Sequence, residues 1–236
     1  MADGSGPRGN RIIDALPDSE RARLGAVLEP MRLELKEQLQ VPGARIDSVY
    51  FALDAVNSLL NLVENSGGVE VATVGNEGLV GLPVAWGVSY ANPRDLVQVQ
   101  VPGEALRMDA DVFAAEIAAQ GPLASVVQRY TQAFFAQITQ QVACNGLHSI
   151  QERCARWLLL THDRVGSDEF PLTQEFLAQM LGVRRPTVTT TAGILSQAGF
   201  IHYRRGRLKI TDREGLESAS CECYGVVRGV FDRLLL

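Results

Sequence analysis

Hydrophobic spacing changes along the chain, and each change marks a different kind of element. Between residues 41 and 108, short apolar segments are punctuated by glycine and proline: VPGARIDSVYFAL, NSLLNLV, VEVATVG and LVQVQVPGEALRM. LVQVQV alternates apolar and polar positions from Val97 to Val101, the two-residue period of a half-buried strand. Short strands at regular spacing predict a small β-barrel or roll. From Leu123 the period lengthens to that of a helix. Leu123, Val127, Tyr130, Phe134, Ile138 and Val142 form one stripe, with Phe135 beside it, and neither glycine nor proline interrupts it before Asn145. A helix of that length runs roughly 33 Å, more than one small barrel needs. It can pack on the barrel, but pairing with its twin in a dimer is the expected use. Residues 11–40 read as short helices with Leu16, Leu24, Val27 and Leu28 on one side. Ile150, Cys154, Trp157, Leu158 and Thr161 mark a further helix, and Val226, Val227, Val230, Phe231 and Leu234 an amphipathic one near the end.

Residues 172–213, LTQEFLAQMLGVRRPTVTTTAGILSQAGFIHYRRGRLKITDR, concentrate the local signals. Thr173 can cap a helix, its hydroxyl taking a free backbone N–H at the helix start. Leu177, Met180 and Leu181 give that helix a buried face, and Ala178 permits close approach of a neighbour. Gly182 suits a sharp turn that needs positive φ. Val188, Ala192 and Leu195 line the inner side of a second helix, while Arg185, Pro186, Thr189, Thr190 and Gly193 face away. Pro186 is tolerated because the first helical turn has N–H groups without partners. Gly199 ends the helix, and Gly206 turns a hairpin between FIHYRR and RLKIT. Helix, turn, helix and a two-stranded wing make the layout of a winged helix-turn-helix, whose second helix enters the DNA major groove.

Charge supports that layout. The chain has a formal net charge of −5. Residues 182–213 nevertheless hold seven cations (Arg184, Arg185, Arg204, Arg205, Arg207, Lys209, Arg213) against Asp212 alone, so a local +6 leaves −11 elsewhere. A cationic island on an acidic body fits phosphate contact and limits indiscriminate binding. The competing function is a ligand-binding or protein-docking module whose winged helix does not read DNA. No Walker loop, nucleophile elbow or His-Glu metal motif points to an enzyme.

No apolar run is long enough to span a bilayer, and MADGSGPRGN lacks the apolar stretch of a signal peptide. That decapeptide reads as a loose tail, and a cytoplasmic protein with no membrane partner is expected. Its four cysteines, Cys144, Cys154, Cys221 and Cys223, are then expected as reduced thiols. Cys221-x-Cys223 could be half a metal site. However, Cys144 and Cys154 stand ten apart and no histidine lies near the pair in sequence, so no metal is expected.

A β-rich N-terminal part, a long helix and a C-terminal winged helix together resemble the Crp/Fnr family of bacterial transcription regulators, from about Arg11 to Arg213. TQEFLAQMLGVRRPTV is the most specific match, and VPGARIDSVYFAL looks like the family's early barrel strands. The resemblance implies an α+β fold. A flexible tail (1–10) would precede a cyclic-nucleotide-binding-like β-roll, or jelly-roll, sensor (11–121). A dimerisation helix (122–147) would lead to a winged helix-turn-helix DNA-binding domain (148–215) and a C-terminal extension (216–236). The extension, with Cys221-Glu222-Cys223-Tyr224, looks like an atypical subgroup. The implied partners are double-stranded DNA with palindromic promoter sites, a second copy of the chain through helix 122–147, and RNA polymerase.

Arg185 falls where family members place an arginine on guanine, whose O6 and N7 suit a guanidinium fork. The next family position is usually glutamate; here it is Pro186, which has no side-chain acceptor, so the family's usual half-site is not expected. Thr189 and Thr190 stand in place of residues that often reach bases or phosphates in the family, and they suit contact with a thymine methyl. Arg184, Arg204, Arg205 and Arg207 are assigned to phosphates, which position a protein without reading sequence. Thr173 and Thr187 complete the implied DNA-binding set. In cyclic-AMP-binding members a Gly-Glu and a later Arg-Ser cradle the ligand. This chain has Gly75-Asn76-Glu77-Gly78 and Asn92-Pro93-Arg94-Asp95, making Glu77, Gly78 and Arg94 the implied effector residues. Asp95 would compete for the charge of Arg94. The effector stays open between cyclic AMP, a cyclic dinucleotide, another small molecule, a partner protein and none. Iron–sulfur sensing would need cysteines near the N-terminus. Haem sensing would need a histidine in the sensor half, and His148, His162 and His202 all follow it.

Overall fold

Asn10 anchors the start of the described chain. Its side-chain oxygen accepts the N–H groups of Ile12 and Ile13, and its amide donates to the carbonyls of Ala52 and Gly78, both at 2.8 Å. The computed structural model of the protein describes residues 9–64 and 67–235. Most of the expected tail, residues 1–8, lies outside them. Asn10 does not belong to a loose tail, because a fully buried amide with these partners is part of the core.

Helices α1 (Arg11–Asp14) and α2 (Asp18–Leu24) bury Ile12, Ile13, Leu16 and Leu24. The helical expectation fails beyond Gly25, where residues 29–40 supply strands β1 (Glu29–Leu33) and β2 (Gln38–Gln40). Pro30 is unfavourable inside a helix but tolerated here, since β1 is an edge strand. The roll continues with β3 (Ser48–Ala52), β4 (Val56–Val63), β5 (Gly67–Val74), β6 (Leu79–Val80), β7 (Asp95–Val101) and β8 (Gly103–Asp109). Its two antiparallel sheets have the orders β1-β8-β3-β6 and β2-β7-β4-β5. A 3-10 turn at Leu82–Trp86 follows β6. Helix α3 (Ala110–Ala118), capped by Asp109, closes the roll and sets Phe113 edge-on against Phe51.

Helix α4 (Pro122–Leu147) has the expected extent, but its stripe divides. Leu123, Val127 and Tyr130 are buried, Phe134 and Ile138 are half-buried, and Phe135 and Val142 are exposed. Gln137, Gln141 and Cys144 take the buried positions of its second half. Helix α5 (Ile150–Val165) starts with a capping box between Ser149 and Glu152. It lies between the sheet β2-β7-β4-β5 and the helix-turn-helix. The alternation in LVQVQV therefore misleads at Gln100: that side chain is buried, because α5 covers it and Thr161 accepts its amide at 3.0 Å.

The C-terminal part contains β9 (Glu169–Pro171), α6 (Gln174–Leu181), α7 (Arg185–Gln197), β10 (Ile201–Arg204), β11 (Arg207–Ile210), α8 (Arg213–Ser218) and α9 (Cys223–Leu234). The wing is three-stranded rather than two-stranded, in the order β10-β11-β9, because Phe170 brings its segment into the core beside Leu208. Helix α9 returns to α4. Phe231 stacks near Tyr130 with ring centroids 6.3 Å apart, and Arg129 donates to the Leu234 carbonyl at 3.0 Å. Among the described residues no helix is long and apolar enough to cross a membrane.

Candidate nucleic-acid interface

Local sequence explains how α7 is presented. Thr173 caps α6, its hydroxyl accepting the Phe176 N–H at 3.1 Å, so that oxygen already has a structural partner. Gly182 takes φ +65, the left-handed turn that L side chains resist. Val188, Ala192 and Leu195 then hold α7 against the core through buried contacts. The other side of α7 is left open: Arg184, Arg185, Pro186, Thr187, Thr189 and Thr190 are all exposed. Two of the threonines are partly engaged. The Thr189 hydroxyl donates to Gln174 Oε1 at 2.8 Å, and that of Thr190 to the Pro186 carbonyl at 3.2 Å. A shallow groove bounded by Ser149, Gln151, Pro186 and Thr190 runs between the start of α5 and α7.

The wing carries the remaining cations. Arg205 and Gly206 both have positive φ, +50 and +75, so the hairpin is a two-residue turn of the kind that follows strand twist. Arg204 and Arg205 are exposed at its tip. Arg207 pairs with Glu169 on the neighbouring strand, which holds that carboxyl below its ordinary range. The Tyr203 hydroxyl donates to the Leu172 carbonyl at 2.6 Å, tying the wing to the start of the helix-turn-helix; burial pushes its pKa up to about 12. Arg213, counted in the cationic island, turns inward instead. It binds Asp163 at 2.6 Å, Glu217 at 2.9 Å and the Tyr224 hydroxyl.

The sequence profile of the Crp-like helix-turn-helix domain matches residues 152–219, which contain α6, α7 and the wing. Solved structures extend the likeness to the rest of the chain. A Crp/Fnr-family regulator from Eubacterium rectale superposes with a TM-score of 0.67 at 14% identity, over 87% of this chain and 95% of that one. FixK2 from Bradyrhizobium japonicum gives 0.66 at 16% identity, over 83% and 98%. CLP of Xanthomonas campestris, a regulator described as responsive to c-di-GMP, gives 0.59 at 13%, over 78% and 94%. This is a chain of Crp/Fnr fold with a Crp-like helix-turn-helix. A comparison with curated protein sequences finds no match.

Within this fold the implied effector residues are not brought together. Glu77 is buried and faces Arg164 of α5, which reaches its Oε1 through Nε at 2.9 Å and Nη2 at 2.8 Å. Gly75 makes room for this pair, since a Cβ there would lie 2.6 Å from the Arg164 stem. The carbonyl of Gly78 accepts from Asn10, and a Cβ on Gly78 would collide with the Tyr130 ring. Arg94 is exposed and donates to the Leu62 carbonyl at 3.3 Å. The Gly75–Gly78 segment thus works as a joint between roll, α4 and α5. Three further contacts complete it: Trp157 Nε1 to Glu70 at 2.7 Å, Gln100 to Thr161, and Gln137 to the Thr73 carbonyl at 2.9 Å.

A cavity of about 390 Å³ opens between the roll and α4. Leu59, Leu79, Trp86, Phe134 and Ile138 give it an apolar wall, and Asp95 is its acidic member. Among the described residues no arginine or lysine lines it, so the cavity offers no fixed cation to a cyclic phosphate.

Arg164 was not among the residues singled out from sequence. Its signal is there: it continues the stripe of Cys154, Trp157 and Thr161, and a cation on an apolar stripe asks for a buried partner. The expectation that Cys221 and Cys223 lack companions also changes. Chain folding brings Cys144 and His148 to them.

Proposed function

We propose that the protein is a sequence-specific, DNA-binding transcription regulator acting as a homodimer. The observation that carries this is the exposed surface of α7 and the wing tip, which places Arg184, Arg185, Arg204 and Arg205 in solvent on an otherwise acidic chain. Arg185 reads a base edge at the start of α7. Thr187, Thr189 and Thr190 contact bases or neighbouring phosphates, and Arg184, Arg204, Arg205 and Arg207 hold the backbone. Thr173 offers the N-terminus of α6 to a phosphate.

Dimerisation uses α4, where Phe135 and Val142 are 62% and 69% exposed on one side of the helix. Exposed apolar side chains on a long helix favour a partner helix. Two copies would then meet a palindromic site with matching symmetry.

The roll serves as the sensor. Its cavity suits an apolar body, and occupation would reach the reader through Phe134 and Ile138 on α4 and through the Glu77–Arg164 joint. Cyclic AMP and cyclic dinucleotides are tested by thermal shift against a panel of hydrophobic ligands; stabilisation by a nucleotide alone would reject the apolar reading of the cavity. DNA binding itself is tested by titrating a labelled duplex at several salt concentrations. Affinity should fall steeply with salt, in proportion to the phosphates neutralised. Binding that ignores salt, or none to any duplex, would favour a docking module.

A further inference from the structure

Four ligand-type side chains converge where α4 ends, and none belongs to the surface described above. Cys144 lies in the last turn of α4, and His148 caps that helix four positions later. Cys221 and Cys223 come from the start of the C-terminal extension. The three Sγ atoms and a ring nitrogen of His148 lie within 4.8 Å of one another. Cys144 Sγ is 3.5 Å from Cys221 Sγ, and Cys223 Sγ is 3.5 Å from His148 Nδ1. We propose that these four residues bind one tetrahedral, thiophilic divalent ion, with zinc the best match.

Size decides the class of occupant. Bonds of about 2.3 Å to sulfur and about 2.0–2.1 Å to nitrogen, at tetrahedral angles, put neighbouring ligand atoms roughly 3.5–3.8 Å apart. The Cys144–Cys221 and Cys223–His148 separations, both 3.5 Å, match that spacing, and all four ligand atoms lie within 4.8 Å of one another. An iron–sulfur cluster distributes its thiolates over several irons around an inorganic core, which needs a wider cage. Three cysteines and one histidine form a closed structural set, with no position left for a substrate.

The surroundings have the features of a metal shell. His148 Nε2 faces Glu222 Oε2 at 3.3 Å, so a carboxylate holds the far ring nitrogen while Nδ1 points at Cys223. Gln140 donates its amide to Cys223 Sγ at 3.0 Å, as expected beside a thiolate. Three thiolates around a divalent cation leave one negative charge. Arg153 and Arg156 act electrostatically on Cys144, and the Nε atom of each is buried without a hydrogen-bond partner. The three cysteines form a small buried cluster of their own, apart from the main core.

The ion would fasten the extension to the junction of α4 and α5, where the dimer helix hands over to the reader. The far end of the same extension is held by Arg11, which pairs with Asp232 at 3.2 Å. Bound metal would therefore tie the start of α9 to the end of α4, and its loss would free α9 at that end.

The test uses the full chain, purified reduced and without a metal-affinity tag. Mass spectrometry of the metal content should find about one zinc per chain, as a closed four-ligand site requires. Chelator-stripped protein should take up one equivalent of Co2+ and show the absorption of a tetrahedral cobalt–thiolate. Cys223→Ser and His148→Ala should lose that signal. Both variants alter a packed position, so Glu222→Ala is the companion: Glu222 is 73% exposed, and its loss should weaken metal affinity about 10–100-fold with an unchanged circular dichroism spectrum. Reduced, folded wild type that binds neither zinc nor cobalt overturns the proposal. So does metal uptake unaffected by His148→Ala and Glu222→Ala, or a Cys144–Cys221 disulfide in the intact mass of the natively purified chain.

Discussion

Arg164 and Glu77 meet across the boundary between reader and roll, 2.8 Å apart and only 5% and 6% exposed. A buried ion pair need not stabilise a protein relative to an apolar substitute, but removing one member leaves an uncompensated charge. Glu77→Ala should therefore cost about 3–5 kcal/mol in denaturant unfolding. Replacing Arg164 by Met in the same chain should recover much of that loss. A Glu77→Ala protein as stable as wild type would mean that water, not Glu77, satisfies Arg164.

Glu70 gives a pH signature to the same joint. Burial pushes its carboxyl up from 4.5 to about 6, against the hydrogen bonds from Trp157 and Thr73 and the charge of Arg156. The folded state thus holds the proton more tightly than the unfolded state. Stability from this group is greatest below about pH 4.5 and falls as pH rises to about 6, a change of about 2 kcal/mol. Glu70→Gln keeps an acceptor for Trp157 and should flatten that part of the stability profile. Parallel wild-type and variant curves across the window would place the titration elsewhere.

Arg185 is the predicted base reader. Arg185→Ala should cost about 1–3 kcal/mol at one base pair of each half-site and relax the preference there. Competition titrations with single-base-pair variants measure this. An equal loss on every sequence would move Arg185 to the phosphate backbone.

Arg205 tests the wing. Its φ of +50 suits glycine, so Arg205→Gly removes the charge and preserves the turn. All duplexes should weaken about equally, and the slope of log affinity against log salt should shrink by about one contact. A loss confined to certain sequences would make the wing a base reader.

Val142 tests the dimer. Val142→Glu puts a charge on the exposed apolar side of α4 and should give a monomer by sedimentation, with much weaker DNA binding. A dimer that persists would shift the interface away from this helix.

The helix-turn-helix was legible because its determinants are local. A cap at Thr173, a turn at Gly182 and an apolar period through Leu195 all lie within a few residues of the structure they specify. The long helix was legible in extent but not in which side it buries, since Gln137 is covered by the Thr73 carbonyl, 64 positions away, and Gln141 by Arg156 of the next helix. Strands β1 and β2 were misread because leucines in 24–35 also fit a helical spacing, and only Gly25 and Pro30 argue against it. Glu77 and Arg164 are 87 positions apart, and Cys144 and Cys221 are 77 apart. No local rule joins such pairs. What the sequence did carry was two separate motifs, Cys144-x-x-x-His148, which puts two ligand types one helical turn apart, and Cys221-x-Cys223.

DNA reading is tested most directly by selection from a random duplex pool with the purified full-length protein at near-physiological salt. The account predicts an enriched palindrome whose half-sites are centred about one helical turn apart, losing one specified position in the Arg185→Ala protein. A protein that retains duplexes without sequence enrichment, or enriches the same sequence with and without Arg185, would contradict it.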